Sequence, residues 1–303
     1  MRLFVGITDR QWFDQLSTLR PDEVNFWKPG ESGSFAALQP GELFLFKLHA
    51  PNDFIVGGAH FVKFSRLPVS IAWASFGVKN GVASLPEFLS RIRKYRKVEP
   101  GPDPSIGNIV LTQPFWFDRS DWIPVPNDWS KYIVQGKSYD ALDSRGFELW
   151  SEVQARLGNV IQSGLVREAP SRYSRTEVDV RLGQGAFRIL VTDAYDRRCA
   201  MTGENTLPVL EAAHIRPYAE DGPHSTENGL LLRSDMHILF DKGLLTLTPD
   251  LRWEVSGQIR EQYANGKLYY SYHGQELRST PANRSERPSR EFLEWHNENV
   301  FQA

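Results

Sequence analysis

The chain has 303 residues, with 35 Lys and Arg against 37 Asp and Glu and a formal net charge of −2; no global basic field marks it for nucleic acid, and any grip on phosphate has to come from local patches. Its length suffices for two domains with a core each. No apolar run approaches the ~18 residues of a membrane span, Met1 to Phe13 lacks a secretory apolar segment, and the single Cys199 excludes an internal disulfide, so a cytoplasmic location with no membrane partner is the expectation.

From Met1 to about Lys137 the pattern is mostly β, beginning with a first strand in Met1 to Phe13. The runs Glu42 to Leu48 and Phe54 to Lys63 are apolar, aromatic and β-branched, punctuated by Pro-Gly and Gly-Gly pairs. Leu85 to Lys97 breaks the rhythm: Leu85, Phe88, Leu89, Ile92 and Tyr95 recur at helical spacing, flanked by Arg91, Arg93, Lys94, Arg96 and Lys97. That basic cluster is either a phosphate-neutralising patch or the solvated face of an amphipathic helix. Pro100, Pro102 and Pro104 end the helix, and a strand follows at Ile106 to Thr112 before the Trp-rich stretch Phe115 to Trp129.

A connecting helix is predicted from Ser144 to about Gly158, with Phe147, Leu149, Trp150, Val153 and Leu157 as its apolar positions. The Arg-rich segment Val166 to Arg181 reads as a linker or arm. Apolar patterning resumes at Ala186 to Tyr195 as the helix that opens a second domain. The expected division is 1–140, a connector at 141–183, and 184–303.

The chemically informative stretch begins Cys199-Ala-Met-Thr-Gly203 and continues Leu210-Glu-Ala-Ala-His-Ile-Arg-Pro217. It then runs from Thr226-Glu-Asn-Gly through Met236-His-Ile-Leu-Phe-Asp-Lys-Gly243. From about Ala186 onward the chain resembles the HNH, or ββα-metal, nucleases. Ala-His-Ile-x-Pro ends a first strand, Asn-Gly-Leu starts a second, and a helix carries His and then Asp.

The resemblance implies an endonuclease with His214 as general base, a role that a neutral imidazole can fill near pH 7. It implies Asn228 as the brace of the loop between the strands, and His237 as ligand of a divalent ion (Mg²⁺, Mn²⁺, Co²⁺ or Ni²⁺) that would stabilise charge on the scissile phosphate. Asp241, four residues on and on the same helix face, joins the metal set. The usual ligand position before the base holds Ala213, which makes Glu211 a substitute. Thr202 stands where a cysteine would pair with Cys199, so no structural zinc is expected. Arg216 and Arg233 are either phosphate contacts or solvated surface charges. His224, in a Gly-Pro loop, reads as a surface residue.

The first half resembles EVE and related PUA-superfamily domains, β-barrels that hold modified bases. The likeness rests on Phe26-Trp-Lys-Pro-Gly30, Leu38-Gln-Pro-Gly-Glu-Leu-Phe-Leu-Phe46, Ile55-Val-Gly-Gly-Ala-His60 and Ile71-Ala-Trp-Ala-Ser-Phe76. An extruded base needs aromatic walls, and Trp27, Trp73, Phe76, Trp116 and Trp122 are the candidates, each with hydrophobic core as its alternative role.

The expected protein is thus an α+β chain, an EVE/PUA-like β-barrel followed by an HNH domain. It would be a restriction endonuclease for double-stranded DNA carrying 5-methylcytosine or 5-hydroxymethylcytosine, directed against phage genomes. Two alternatives stand beside it: a non-catalytic reader of modified nucleic acid with a decayed HNH module, and an HNH nuclease whose first domain reads another modification. One HNH site cuts one strand at a time, so double-strand breaks call for a homodimer or successive nicks.

Overall fold

The computed structural model describes residues 1–30, 33–96, 101–162 and 181–303. It separates into two units, Met1–Ala186 and Phe187–Ala303. Lys97 and positions 166–180 of the expected linker lie outside the described residues. Among the described residues no helix is long and apolar enough to cross a membrane.

The first unit contains β1 (Arg2–Thr8), α1 (Arg10–Leu19), β2 (Glu23–Lys28), β3 (Leu43–Leu48), β4 (Phe54–Pro68) and α2 (Val69–Phe76). It continues with α3 (Leu85–Tyr95), β5 (Ser105–Trp116), β6 (Ile123–Pro124), β7 (Gly136–Asp140) and α4 (Ser144–Gln162). One seven-stranded sheet runs β2-β5-β4-β3-β1-β7, with β6 added to β4. Among the described residues this is an open path, in which β2 pairs β5 and β7 pairs β1. Among the described residues only β1 and β3 pair in parallel; Leu3 lies opposite Leu43 and Thr8 opposite Leu48.

All six residues of β3 are buried, as expected for a central strand covered on both faces. One set of side chains, from Leu3, Val5, Leu43, Leu45 and Phe115, packs with Leu149, Trp150, Val153 and Leu157 of α4. The other, from Phe44, Phe46, Val56, Leu111 and Trp116, packs with Trp12, Phe13 and Leu16 of α1. The helix expected as a connector is therefore part of the first unit's core, and its i, i+4, i+8 stripe is what buries it there. Ser84 opens α3 by accepting from the Glu87 N–H at 3.3 Å, while Glu87 accepts from the Ala83 N–H at 3.0 Å, a reciprocal cap around the helix start.

The second unit holds α5 (Gln184–Ala194, from Phe187 on), β8 (Leu210–His214), β9 (Gly229–Arg233), α6 (Ser234–Asp241), β10 (Leu245–Leu247) and β11 (Trp253–Val255). Three further helices follow: α7 (Gln258–Tyr263), α8 (Lys267–Tyr270) and α9 (Arg290–Asn299). β8 and β9 pair antiparallel, Leu210 opposite Arg233 and His214 opposite Gly229. Because α6 starts directly after β9, the unit presents β8, β9 and α6 as one ββα element. Phe187, Val191, Tyr195, Leu230, Leu232, Met236, Phe240 and Trp253 form its core. Gly243 ends α6 at φ +67°, and a Cβ there would come within 2.0 Å of the Val300 carbonyl oxygen, so the helix stop requires glycine.

Cys199 is fully buried, and its sulfur accepts from the N–H groups of Thr202 at 3.4 Å and Arg233 at 3.3 Å. These hydrogen bonds close the turn.

Candidate active site

His214 ends β8, where the strand gives way to the loop that returns at Asn228. Its ring is half-buried and lies nearly parallel to Phe187, with centroids 3.8 Å apart and an interplanar angle of 13°. Nε2 of His214 is 2.9 Å from Nδ1 of His224. Burial, with His224 and His237 adding unfavourable charge, holds His214 down to about 4. At neutral pH the ring is therefore uncharged, the form a proton acceptor needs.

Asn228 is fully buried behind the loop. Its Oδ1 accepts from the Arg216 N–H at 2.8 Å, and its Nδ2 donates to the carbonyls of Arg216 and Pro223, both at 2.9 Å. The Ile215 N–H also donates to the Asn228 carbonyl at 2.9 Å. A side chain with a donor group and an acceptor on one planar amide suits these three backbone groups. Gly222 lets the loop close: a Cβ there would sit 1.9 Å from the Arg216 carbonyl oxygen.

His237 and Asp241 share a face of α6, and Glu211 reaches the same imidazole from β8. Nδ1 of His237 is 2.7 Å from Glu211 Oε2, and Nε2 is 3.4 Å from Asp241 Oδ2. A carboxylate can only accept, so Nδ1 carries the proton in the neutral ring and Nε2 presents its lone pair towards Asp241. Two acceptors facing one another call for a proton or a cation between them. Their 3.4 Å separation is longer than a good hydrogen bond and about that of two ligands held at ~2.0–2.2 Å from one ion. Burial raises the Asp241 carboxyl; His237 opposes the rise and nearby Glu211 adds to it.

Among the described residues no group of three His, Cys, Asp or Glu is clustered for metal binding. The donor chemistry of Nε2 and Asp241 nevertheless fits a divalent ion completed by water and phosphate. Glu211, the expected substitute for the ligand missing at Ala213, meets the opposite nitrogen, Nδ1, of the same ring. A carboxylate on the second nitrogen is the usual orienting partner of a metal-binding histidine. Ala213 itself is fully buried in the core.

Sequence reasoning missed three neighbours. His224, read as a surface residue, contacts His214 directly and stacks on Tyr218, with centroids 4.6 Å apart and an angle of 5°. Phe187 forms the floor under His214. Arg188, half-buried on α5, has its pKa lowered by burial, a shift that Glu211 partly offsets, so a cation lies within electrostatic reach of the site. The adjacency of Gly222-Pro223-His224 to Asn228 was the available signal for His224; helical spacing alone marks Phe187 as core.

The basic candidates fare unequally. Arg233 is paired bidentately with Asp235 at 2.6 and 2.8 Å. Arg91 is held by Glu87 at 2.8 Å and Asp9 at 3.7 Å. Both charges thus have carboxylate partners within the chain. Arg96 donates to the Pro29 carbonyl at 2.7 Å. Arg216 donates to the Glu220 carbonyl and lies over the Trp295 ring at 5.5 Å. Arg93 and Lys94 are exposed on α3.

The five aromatic candidates do not line one slot. Trp116 is buried against Phe46, Trp12 and Phe13, and Trp122 meets Phe13 from another side. Trp27 and Trp73 pack instead on the cluster around Val69, Ala72 and Phe88. Phe76 is buried, and a Cβ on Gly185 would come within 2.8 Å of its ring. Trp116 and Phe76 are buried, the alternative role expected for each, whereas Trp27, Trp73 and Trp122 are half-buried.

Residues 199–248 match the family described as HNH endonuclease. The second unit thus carries an HNH endonuclease domain over these residues. A search of curated proteins finds no match. Among solved structures, ASCH from Zymomonas mobilis is similar over 49% of this chain and 94% of its own, at 9% identity and a TM-score of 0.36. A point mutant of that same protein gives the same coverage of this chain and 96% of its own, at 8% identity and a TM-score of 0.36. A structure titled "Modification dependent TagI restriction endonuclease" is similar over 92% of this chain and 75% of its own, at 14% identity and a TM-score of 0.28.

Proposed function

We propose that the chain is a metal-dependent endonuclease for double-stranded DNA with modified cytosine, 5-methylcytosine or 5-hydroxymethylcytosine. In this reading the second unit hydrolyses the phosphodiester and the first selects the DNA. The observation that carries the nuclease chemistry is the ββα element holding an uncharged His214 and a His237 whose Nε2 faces Asp241.

His214 takes a proton from the attacking water. The water oxygen forms a bond to phosphorus, the bond from phosphorus to the leaving sugar oxygen breaks, and that oxygen gains a proton from solvent. Asn228 fixes the strand-to-loop junction that aims His214. His237 and Asp241 would hold the divalent ion, and Glu211 would lock the His237 ring so that Nε2 faces it. When bound, the ion supplies positive charge beside the phosphate. Arg188 adds a second positive centre behind Glu211.

The reader role is supported by the aromatic content of the first unit and by Trp27, Trp73 and Trp122 retaining partial exposure, since a base is recognised by stacking between such rings. Exposed Arg93 and Lys94 are its candidate backbone contacts. Incubating the purified protein and Mn²⁺ with matched DNAs that differ only in cytosine modification tests both halves. Faster cleavage of the modified DNA is expected. Equal cleavage of plain DNA would remove the reader role; binding of either DNA without cleavage would remove the nuclease.

A further inference from the structure

We propose that His224 is a positioning residue for His214, accepting a hydrogen bond that fixes the tautomer in which the base can act. The inference rests on the reading of His214 as general base. It starts from the 2.9 Å contact between His214 Nε2 and His224 Nδ1. Two nitrogens can share one hydrogen in only two ways. If His224 donates, His214 spends its Nε2 lone pair as acceptor and carries its own proton on Nδ1, leaving no site for the proton of water. If His214 donates from Nε2, its Nδ1 lone pair is open and His224 is the acceptor. Only the second arrangement gives a competent base.

The surroundings hold His224 to this task. Tyr218 lies parallel to its ring at 4.6 Å, and Phe187 meets it at 5.8 Å while stacking on His214 at 3.8 Å. The preceding carbonyl, that of Pro223, accepts from the Asn228 side chain at 2.9 Å. Asn228 therefore places both ends of the His214–His224 contact, through Ile215 on one side and Pro223 on the other. As His214 takes up a proton on Nδ1 it becomes a cation, and its bond to His224 becomes charge-assisted and stronger. His224 thus favours the transition state more than the resting enzyme.

The test uses the full chain with Mn²⁺ and 5-methylcytosine plasmid DNA, read as single-turnover nicking at saturating protein. His224→Leu removes the acceptor and is expected to slow nicking by roughly 10–100-fold, the range for losing an orienting partner. DNA concentration and Mn²⁺ concentration at half-maximal rate should stay within about twofold of wild type. His224→Asn restores an acceptor oxygen at the position of Nδ1 and is expected to recover to within about threefold of the wild-type rate. Should His224→Leu fail to fold, His224→Ala carries the same expectation with a smaller steric demand. Wild-type nicking by a folded His224→Leu or His224→Ala would overturn the proposal. So would a folded His224→Asn as slow as the truncations, because the ring and not its acceptor would then matter. His214→Ala run alongside separates the two readings: if it nicks at the wild-type rate, the assignment of the base fails whatever His224 does.

Discussion

Replacing Asn228 by alanine removes the amide that ties the 215–228 loop together, at a cost set by the hydrogen bonds it makes. Three hydrogen bonds are lost, to the Arg216 N–H and to the carbonyls of Arg216 and Pro223, at a fully buried position. At about 1 kcal/mol each, the loss is about 3 kcal/mol, and more if the Arg216 N–H stays buried without a partner. For a unit of roughly 120 residues the unfolding entropy is about 0.25 kcal/mol/K, so the thermal midpoint of the second unit should fall by about 12 °C. Asn228→Asp discriminates between bracing and charge. It keeps the acceptor for Arg216 but turns a carboxylate oxygen towards two carbonyls, so it should be no more stable than Asn228→Ala. Calorimetry on the full chain, followed by nicking assays below both midpoints, measures stability and rate separately. A midpoint within about 3 °C of wild type for Asn228→Ala, or a fully active Asn228→Asp, would refute the bracing argument.

Three further outcomes are expected. Asp241→Asn should raise the Mn²⁺ concentration needed for half-maximal cleavage by at least about tenfold, whereas Glu211→Ala should act through the orientation of His237 and cost roughly 10–100-fold in metal affinity or rate; a metal titration unchanged by both would place the ion elsewhere. His296 is buried with Nδ1 2.8 Å from Thr246 Oγ1 and Nε2 3.2 Å from the Phe240 carbonyl oxygen, and burial holds it down to about 4, the carbonyl partly opposing. Its folded value lies below its unfolded one of ~6.5, so its contribution is complete above pH ~6.5 and is lost as the pH falls towards 4, on the order of 3 kcal/mol in all. His296→Gln should flatten the fall in thermal midpoint over that window, and an unchanged slope would contradict it. Trp116→Ala should destabilise the first unit by about 3–5 kcal/mol in a denaturant titration, and a change below about 1 kcal/mol would return Trp116 to the list of exposed reader residues.

Much of the second unit was legible because its signals are local. His214, Asn228, His237 and Asp241 stand in fixed order within apolar frames, and the β8–β9 pairing sets His214 opposite Gly229, next to Asn228, while α6 brings His237 to Glu211 of β8. The role of Glu211 was only half legible: the sequence places it on the strand, but which imidazole nitrogen it meets depends on how α6 packs. His224 was missed because a loop residue carries no periodicity, and its contact with His214 exists only once Asn228 has folded the loop back. In the first unit, the strands around Leu43–Leu48 and Phe54–Pro68 showed through apolar, aromatic and β-branched runs, and the helix from Leu85 through helical spacing. α1 was overlooked although Asp9 caps it by accepting from the Trp12 N–H at 2.7 Å; its Trp12, Phe13 and Leu16 sit among strand-like aromatics. α2 was hidden because its less buried positions, Ser70, Trp73, Ala74 and Ser75, include no charged residue to mark a helical period. The aromatic residues were visible as a class, but which ones the core would consume depended on tertiary packing.

The central claim is that His214 removes the proton from the water that cleaves DNA. Its most direct test is single-turnover nicking by His214→Ala with saturating Mn²⁺, alongside DNA binding by the same variant. A rate lower by roughly 10²–10⁴-fold is expected, with affinity for DNA unchanged within about twofold. A variant that binds normally and retains more than about a tenth of the wild-type rate would contradict it.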